Sequence, residues 1–123
     1  MSLRKTISAI ILAAATVSVV HATDVRHFKG EKPETMAEAI AIIEKYNTQL
    51  EGRIKYELTP YTMAEIHQMS YSLENALQFI EQHLDQTQEN LEKVHIASET
   101  NDPETVQQKG KEYLQGTKDL IGK

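Results

Sequence analysis

The stretch YTMAEIHQMSYSLENALQFIEQHLDQTQENLEKVHIASET, residues 61–100, decides the fold because it contains neither proline nor glycine. Its apolar residues, together with a few serines and threonines, recur at alternating steps of three and four, the spacing of a heptad repeat. A helix of about 38 residues would be about 57 Å long at 1.5 Å per residue. The sequence therefore predicts one long central helix with an apolar seam. The seam comprises Met63, Ile66, Ser70, Leu73, Leu77, Ile80, Leu84, Thr87, Leu91, Val94 and Ser98.

A shorter helix is predicted on the N-terminal side of the central one. Thr35 and Glu38 match a capping box, in which each side chain satisfies a free backbone N–H of the first turn. The helical pattern continues to about Lys55, after which a break leads to the central helix. The residues that we expect to face inward are Met36, Ile40, Ile43, Leu50 and Ile54.

Proline marks the start of the central helix and of a third one. Thr59 and Asp102 are good N-caps. Pro60 and Pro103 follow them at the first helical position, where a missing N–H costs nothing. The third helix is predicted to end near Ile121. Its inward face comprises Val106, Gly110, Tyr113, Thr117 and Leu120. A glycine within a helix is explained either by a close helix contact or by simple tolerance of glycine at that position.

The lengths and connections of these helices determine the predicted architecture. Both connections are short, so each outer helix runs antiparallel to the central helix, one along each half. The predicted fold class is all-α, with antiparallel helical hairpins around one long central helix. There are three helices, or four if the central helix bends within HLDQTQEN, residues 83–90. Two outer helices of half length cover the seam poorly, which favours a second copy or another protein as its cover.

The N-terminus predicts export. Arg4 and Lys5 precede a 14-residue apolar run from Ile7 to Val20. Val20 and Ala22 then occupy the small-residue positions that a signal peptidase recognises. The run is shorter than the roughly 18–20 residues that span a bilayer. We therefore expect a signal peptide over residues 1–22, a periplasmic or secreted protein, and no membrane insertion after cleavage.

Residues 23–34 are polar and contain glycine and proline, so they predict an extended N-terminal arm before a helical bundle domain at residues 35–123. His27 and Phe28 lie on this arm. Because a lone aromatic side chain rarely stays in solvent, we expect the pair to dock on the helical domain or on a partner.

Charge and cysteine content exclude several classes of function. Without the two basic residues of the signal peptide, 11 of the 13 basic residues remain against 18 acidic ones, a formal net charge of −7. An acidic surface repels phosphate backbones, so nucleic-acid binding is not expected. The chain has no cysteine, which excludes a lipid-modified cysteine anchor and a stabilising disulfide.

The histidines of the central helix are the residues to weigh as metal ligands. His67 and His95 lie 28 residues apart, about 42 Å along a helix, so a single chain cannot bring both to one ion. Glu92 and His95 have the Glu-x-x-His spacing of di-iron bundles, but that site needs two copies of the motif. We therefore predict no metal site, no cofactor and no catalytic residue. An antiparallel dimer centred near Glu81 would bring each histidine close to its counterpart in the other chain. The residues of this alternative, a metal- or small-ligand-binding bundle, are His67, Glu74, Glu92 and His95.

A polar edge follows the seam within IHQMSYSLENAL, residues 66–77. His67, Tyr71 and Glu74 are neighbours on one helix face, at spacings of four and three. We interpret them as the hydrogen-bonding edge of a packing surface that meets the first helix. The residues expected in structural or interaction roles are His27, Phe28, His67, Tyr71, Glu74 and His95.

Several segments resemble a family of small exported bacterial proteins that is catalogued as a domain of unknown function. They are RHFKGEKPET, ELTPYTMAEIHQMSYSLENAL, VHIASET and GKEYLQ, and the resemblance covers essentially the whole chain after residue 22. It implies a periplasmic helical protein and brings no activity, ligand or catalytic residue. The matching positions are His27, Phe28, Lys29, Gly30, Thr59, Pro60, His67, Tyr71, Leu73, Glu74, His95 and Ser98.

These patterns together predict a non-enzymatic periplasmic helical protein. We expect it to act through self-association, as a homodimer, or by binding another envelope protein whose identity the sequence does not give. The reason is the long heptad seam, which the two outer helices cannot fully cover.

Overall fold

A computed structural model describes residues 28–122, and every regular element in this range is an α-helix. The helices are α1 (Met36–Ile54), α2 (Pro60–Glu99) and α3 (Pro103–Ile121). This confirms the predicted all-α fold with three helices. The central helix α2 is continuous over 40 residues, which is about 60 Å, so the chain does not form a fourth helix by bending there. The predicted signal peptide and His27 lie outside the described residues.

Side-chain caps start each helix where the sequence predicts them. Thr35 Oγ1 accepts from the N–H of Glu38 at 3.2 Å, and the Glu38 carboxylate accepts from the N–H of Glu34 at 2.8 Å. Thr59 and Asp102 each accept from the N–H three residues further on, at 3.3 and 3.1 Å. Each such cap satisfies a backbone donor that the helix itself cannot, which stabilises the helix by about 0.5–2 kcal/mol.

A tight turn reverses the chain between α2 and α3. Asn101 has a φ of 60°, in the left-handed region that asparagine tolerates better than most residues. The N–H of Asp102 then donates to the carbonyl of Ala97 at 2.9 Å. The turn therefore brings α3 back along the C-terminal half of α2.

The two outer helices pack on the same face of α2, end to end along its length. Ala76 of α2 forms the core with Ala39 and Ile42 of α1, whereas Thr87 of α2 lies against Gly116 of α3. At 100° per residue, positions 76 and 87 point within about 20° of each other. The described part of the chain is therefore two helices thick along α2.

Small residues set the distance between the helices. Ala39, Ser72 and Ala76 are fully buried. A methyl group added at Gly116 would lie 2.4 Å from the Oγ1 of Thr87. Because these positions carry little or no side chain, the backbones approach closely and larger apolar side chains lie beside the contact. The buried apolar residues are Met36, Ala39, Ile42, Met69, Ala76 and Ala97.

The predicted seam of α2 contacts α1 and α3 only in part. Thr87 is buried against Gly116 and Ile80 packs against the core, but much of the seam is left uncovered. Met63, Leu77, Leu84 and Leu91 remain 51%, 57%, 42% and 44% exposed. Leu77 points about 100° away from Ala76, which faces the core. The heptad pattern thus identifies a real apolar stripe, but the outer helices select the neighbouring face because its small residues allow closer packing.

The predicted inward face of α1 is confirmed at Met36, which is buried. Elsewhere the inward faces of α1 and α3 are shifted in the same way. On α1, Ala39 and Ile42 are buried, while Ile54 is 58% exposed. On α3, a methyl group added at Gly110 would meet nothing within 4 Å, whereas Gly116 is buried. Of the two explanations for Gly110, the close contact is therefore wrong and simple tolerance of glycine remains. The glycine that makes a close contact, Gly116, lies six positions further on.

None of the helices within residues 28–122 is both long enough and apolar enough to cross a membrane.

Substituting the two glycines of α3 should change stability in opposite directions. Gly116→Ala should lower the free energy of unfolding by about 1–3 kcal/mol, because the added methyl group displaces Thr87 in a close helix contact. Gly110→Ala should raise it by about 0.5–1 kcal/mol, because alanine favours the helix and space is open there. Urea unfolding followed by circular dichroism measures both, and effects of the same sign would contradict the contact assigned to Gly116.

Candidate functional site

The N-terminal segment, residues 28–34, lies along α2 and is held through its backbone. The side-chain amide of Asn75 donates to the carbonyl of Lys29 at 2.9 Å and to that of Glu31 at 3.0 Å. The N–H of Glu31 donates to the Oγ of Ser72 at 2.9 Å. Three hydrogen bonds therefore tie this segment to a single turn of α2.

Gly30 allows the N-terminal segment to approach α2 this closely. Its φ is 69°, and a methyl group there would lie 2.7 Å from the backbone nitrogen of Ser72 and 2.8 Å from the carbonyl carbon of Tyr71. Glycine adopts a positive φ without a clash of its own, since it has no Cβ. Both the backbone conformation and the available space therefore require glycine at this position.

Glu31 joins the N-terminal segment to α1. Its carboxylate accepts hydrogen bonds from Lys45 Nζ and from the hydroxyl of Tyr46, the latter at 2.6 Å. The hydrogen bond from Lys45, and then that from Tyr46, lowers the pKa of Glu31 below its ordinary value of 4.5. The same hydrogen bond raises the pKa of Lys45. Because both side chains remain about half exposed, the ion pair orients the segment more than it stabilises it.

The polar edge of α2 meets the N-terminal segment, so the expectation that it meets the first helix is wrong. The hydroxyl of Tyr71 lies 3.2 Å from the Nε2 of His67, and the two rings pack edge to face with centroids 5.0 Å apart. The ring centroid of Phe28 lies 6.3 Å from that of Tyr71. Phe28 thus docks on this edge, while Glu74 is exposed.

The four residues weighed as metal ligands stay apart in one chain. His95 lies 3.3 Å from the carboxylate of Glu99 on the next turn, and both are exposed. Glu74 and Glu92 are exposed as well. Because α2 is continuous, His67 lies about 42 Å from His95. Across residues 28–122, no group of three or more histidine, aspartate or glutamate side chains is arranged to hold a metal ion.

His83, a half-buried histidine that was not among the predicted site residues, lies where the three helices meet. The Nε2 of His83 is 3.1 Å from the carbonyl of Gly116 and 3.8 Å from the carboxylate of Asp119. Since a carbonyl only accepts, Nε2 carries the hydrogen. The ring lines an open cleft of about 710 Å³, together with Met36 and Phe79. No local pattern shows this role, because α3 reaches His83 only after the chain has reversed.

An apolar stripe runs along one side of the molecule, and we call it the open face. On each helix its residues are turned in the same rotational sense from the contact residue (Ala39, Ala76 or Gly116), by roughly 60–160° at 100° per residue. Both outer helices run antiparallel to α2, so rotations of the same sense bring these residues to the same side. Ile43 and Ile80, which are turned the same way by a smaller angle, each pack against the core. The open face comprises Ile54, Met63, Leu77, Leu84, Leu91, Leu114 and Ile121, each between 42% and 65% exposed.

The side opposite the open face is polar. The N-terminal segment covers α1 and α2 there, and ion pairs lie on α2 and α3. Lys93 pairs with Glu89 at 2.6 Å and Lys109 with Glu112 at 2.7 Å. The hydrogen bond from Lys93 lowers the pKa of Glu89, and that from Lys109 lowers the pKa of Glu112. Ion pairs therefore predominate on this side and exposed aliphatic side chains on the open face, although Ile96 is 49% exposed away from that face.

The N-terminal segment should be released by Gly30→Ala but not by Gly122→Ala. Both glycines have a positive φ, at 69° and 67°, so alanine costs about 1–2 kcal/mol of backbone strain at either position. Only Gly30 also presses against α2, since a methyl group at Gly122 would meet nothing within 4 Å. Trypsin should therefore cut faster after Lys29 in Gly30→Ala, by about tenfold for each 1.4 kcal/mol lost from docking. Equal cleavage rates in the two variants would show that the segment does not depend on this close approach.

Comparison with known proteins identifies a family. Residues 1–122 match a family described as a family of unknown function (DUF6746), and the chain belongs to this family. No curated protein and no solved structure matches it. The resemblance stated from the sequence is thereby confirmed.

Proposed function

We propose that this member of the DUF6746 family is a non-enzymatic, exported helical protein that acts by binding protein through its open face. The observation that carries the proposal is a row of seven apolar side chains, each 42–65% exposed, along one side of the described residues. Exposed apolar side chains grouped on one side of a soluble protein, rather than scattered singly, are typical of an interaction site. The partner is a second copy of the chain or another envelope protein.

The energy available from covering the open face is large enough for specific binding. Burying one leucine or methionine side chain stabilises a complex by about 1.5–3 kcal/mol relative to leaving it in water. Leu77, Leu84 and Leu91 each leave 42–57% of their surface exposed, so these three residues alone supply several kcal/mol. The remaining residues of the open face are needed to exceed the roughly 4–15 kcal/mol that association costs in lost motion. A partner therefore has to cover the whole open face, rather than a few residues of it, for binding to be favourable.

The distribution of polar groups also favours a binding protein over an enzyme. General acid–base catalysis needs a titratable group within hydrogen-bond reach of a bound substrate, usually in a protected pocket. In the described residues, His67 and His95 lie exposed on α2, and the half-buried His83 is bonded to a backbone carbonyl. Such isolated groups suit hydrogen bonding at the surface of a helical scaffold.

Export is part of the proposal and is supported by the N-terminal sequence. Arg4 and Lys5, the apolar run that follows, and the small residue Ala22 have the order of a signal peptide. The mature chain would begin at Thr23 and would carry a formal net charge of −7. A protein of that charge stays soluble outside the cytoplasm while one apolar side remains available for a partner.

A charge placed on the open face should abolish association, whereas the same charge on the opposite side should not. Leu84→Glu puts a carboxylate among apolar side chains that the complex would bury, and an unpaired buried charge is strongly unfavourable. Gln82→Glu adds the same charge two residues away, on the polar side of α2. We expect Leu84→Glu to lose a complex that the unsubstituted chain and Gln82→Glu both retain. The measurements are sedimentation velocity of the purified chain and chemical cross-linking in intact cells.

Circular dichroism of both variants provides the folding control, since both positions are exposed. The proposal is overturned if the unsubstituted chain, Leu84→Glu and Gln82→Glu give the same species in sedimentation and the same products in cells. Such a result would mean that the open face binds no protein.

Export has a separate test that does not depend on the partner. When the full sequence is expressed in a bacterium, the protein recovered from the periplasmic fraction should have the mass of a chain beginning at Thr23. Ala22→Tyr should block cleavage, because a bulky residue does not fit the site that signal peptidase recognises. Recovery of the unsubstituted chain only from the cytoplasm, with Arg4 and Lys5 still present, would refute the predicted signal peptide.

A further inference from the structure

We infer that a second copy of this chain covers the open face, packed antiparallel with a two-fold axis that crosses α2 between Ile80 and Glu81. This inference rests on the proposed function and identifies its partner. It follows from the order of side chains along the open face, from the thickness of the molecule and from the area available.

The order of side chains along α2 is self-complementary in the antiparallel sense. When a two-fold axis passes between positions 80 and 81, residue 77 faces residue 84 of the second copy, 70 faces 91, and 63 faces 98. Leu77 and Leu84, which are 57% and 42% exposed, then cover each other at the centre. Further out, a large side chain faces a small one on each side of the axis. These outer pairs are Leu91 with Ser70 and Met63 with Ser98.

Matching large with small side chains is how packed helices fill the space between them without voids. A parallel arrangement would instead place each residue opposite its own copy, so Ser70 would face Ser70 and Leu91 would face Leu91. That pairing leaves a gap at the serines and crowds the leucines, and both defects destabilise a core. The side-chain order therefore favours the antiparallel copy.

The antiparallel arrangement also completes the cross-section of the bundle. One chain is two helices thick, since α1 and α3 lie in line on one face of α2. Rotation about the proposed axis stacks α2 on its own copy and places α1 of each chain against α3 of the other. Every level of the dimer then contains four helices, the arrangement in which an apolar stripe on each helix is enclosed. The exposed residues of all three helices contribute, including Ile54, Leu114 and Ile121.

The area of the open face suits a stable dimer. α2 has 40 residues, about 60 Å, and two neighbouring helices are roughly 20 Å wide, so the face measures roughly 1,200 Å² on each chain. A standard specific interface buries about 800 Å² on each partner. The face is therefore long enough for a standard interface even if its ends remain in water.

The charged residues beside the stripe are compatible with this pairing. Glu81 faces its own copy at the axis, but it is exposed at the edge of the stripe, where water and salt screen the repulsion. The lysine–glutamate pairs of α2 and α3 and the docked N-terminal segment lie on the opposite side, so pairing buries none of them. Gln88 and the His95–Glu99 pair share the direction of the stripe and are exposed. The interface therefore combines the apolar stripe with a few polar side chains.

Single-cysteine variants test the arrangement directly, because the chain has no cysteine of its own. A short bis-maleimide should cross-link a mixture of Ser70→Cys and Leu91→Cys chains, since these positions face each other. Neither variant alone should cross-link, because position 70 and its own copy would lie about 32 Å apart along the helix. Glu81→Cys alone should cross-link to itself, because it lies at the axis.

Gln82→Cys is the matched control. It lies at the same level of α2 as Glu81 but on the polar side, so it should give no dimer product. Circular dichroism establishes that each variant folds, and sedimentation of the unmodified chain should show a dimer that Leu84→Glu converts to a monomer.

Three results would overturn the inference. Self-cross-linking of Ser70→Cys or Leu91→Cys without a mixed product would indicate a parallel pair. Cross-linking of Gln82→Cys in preference to Glu81→Cys would place the contact on the polar side. A monomer in sedimentation, with no cross-linking in any variant, would exclude the second copy. The proposed function would then depend on the experiment in cells. It would stand only if Leu84→Glu removed a cross-linked complex that Gln82→Glu retained.

Discussion

Close backbone contact along one face of α2 is the constraint on which the rest of the structure depends. Ala76 lets α1 approach at one end, and the pairing of Thr87 with Gly116 lets α3 approach at the other. Since both outer helices use this face, neither can cover the apolar stripe a quarter turn away. The same small residues that make the internal contact therefore create the open face, and Leu77 and Leu84 are exposed because of it.

The N-terminal segment serves as a third layer over one half of the molecule. It is recognised mainly through its backbone, by Asn75 and Ser72 of α2, and through a single carboxylate that reaches α1. Its place on the side opposite the open face matters for the whole molecule. Because one groove of the α1–α2 hairpin is already filled by the chain itself, the remaining apolar side is the one left for a partner.

Features that depend on local chemistry were predictable from the sequence. The N-caps at Thr35, Thr59 and Asp102 fixed the helix starts, since a cap acts within three residues of itself. The face used by α2 was not predictable, because two adjacent stripes both have helical spacing. The sequence pattern identifies the stripe of α2 with the most apolar residues. The outer helices instead pack on the stripe whose small residues let the helix backbones approach most closely. Likewise, the requirement for Gly30 depends on Ser72, which lies 42 positions away and is brought close only by folding.

The end-to-end placement of α1 and α3 makes the molecule two hairpins that share one helix. One hairpin holds the core of Ala39, Ile42 and Ala76, and the other holds the contact between Thr87 and Gly116. Cooperative units in proteins often coincide with such supersecondary motifs. We therefore expect the two hairpins to open as separate units in hydrogen exchange, coupled through the backbone hydrogen bonds at the middle of α2. Protection of the backbone amides near His83 from hydrogen exchange would therefore measure how strongly the opening of one hairpin is coupled to that of the other.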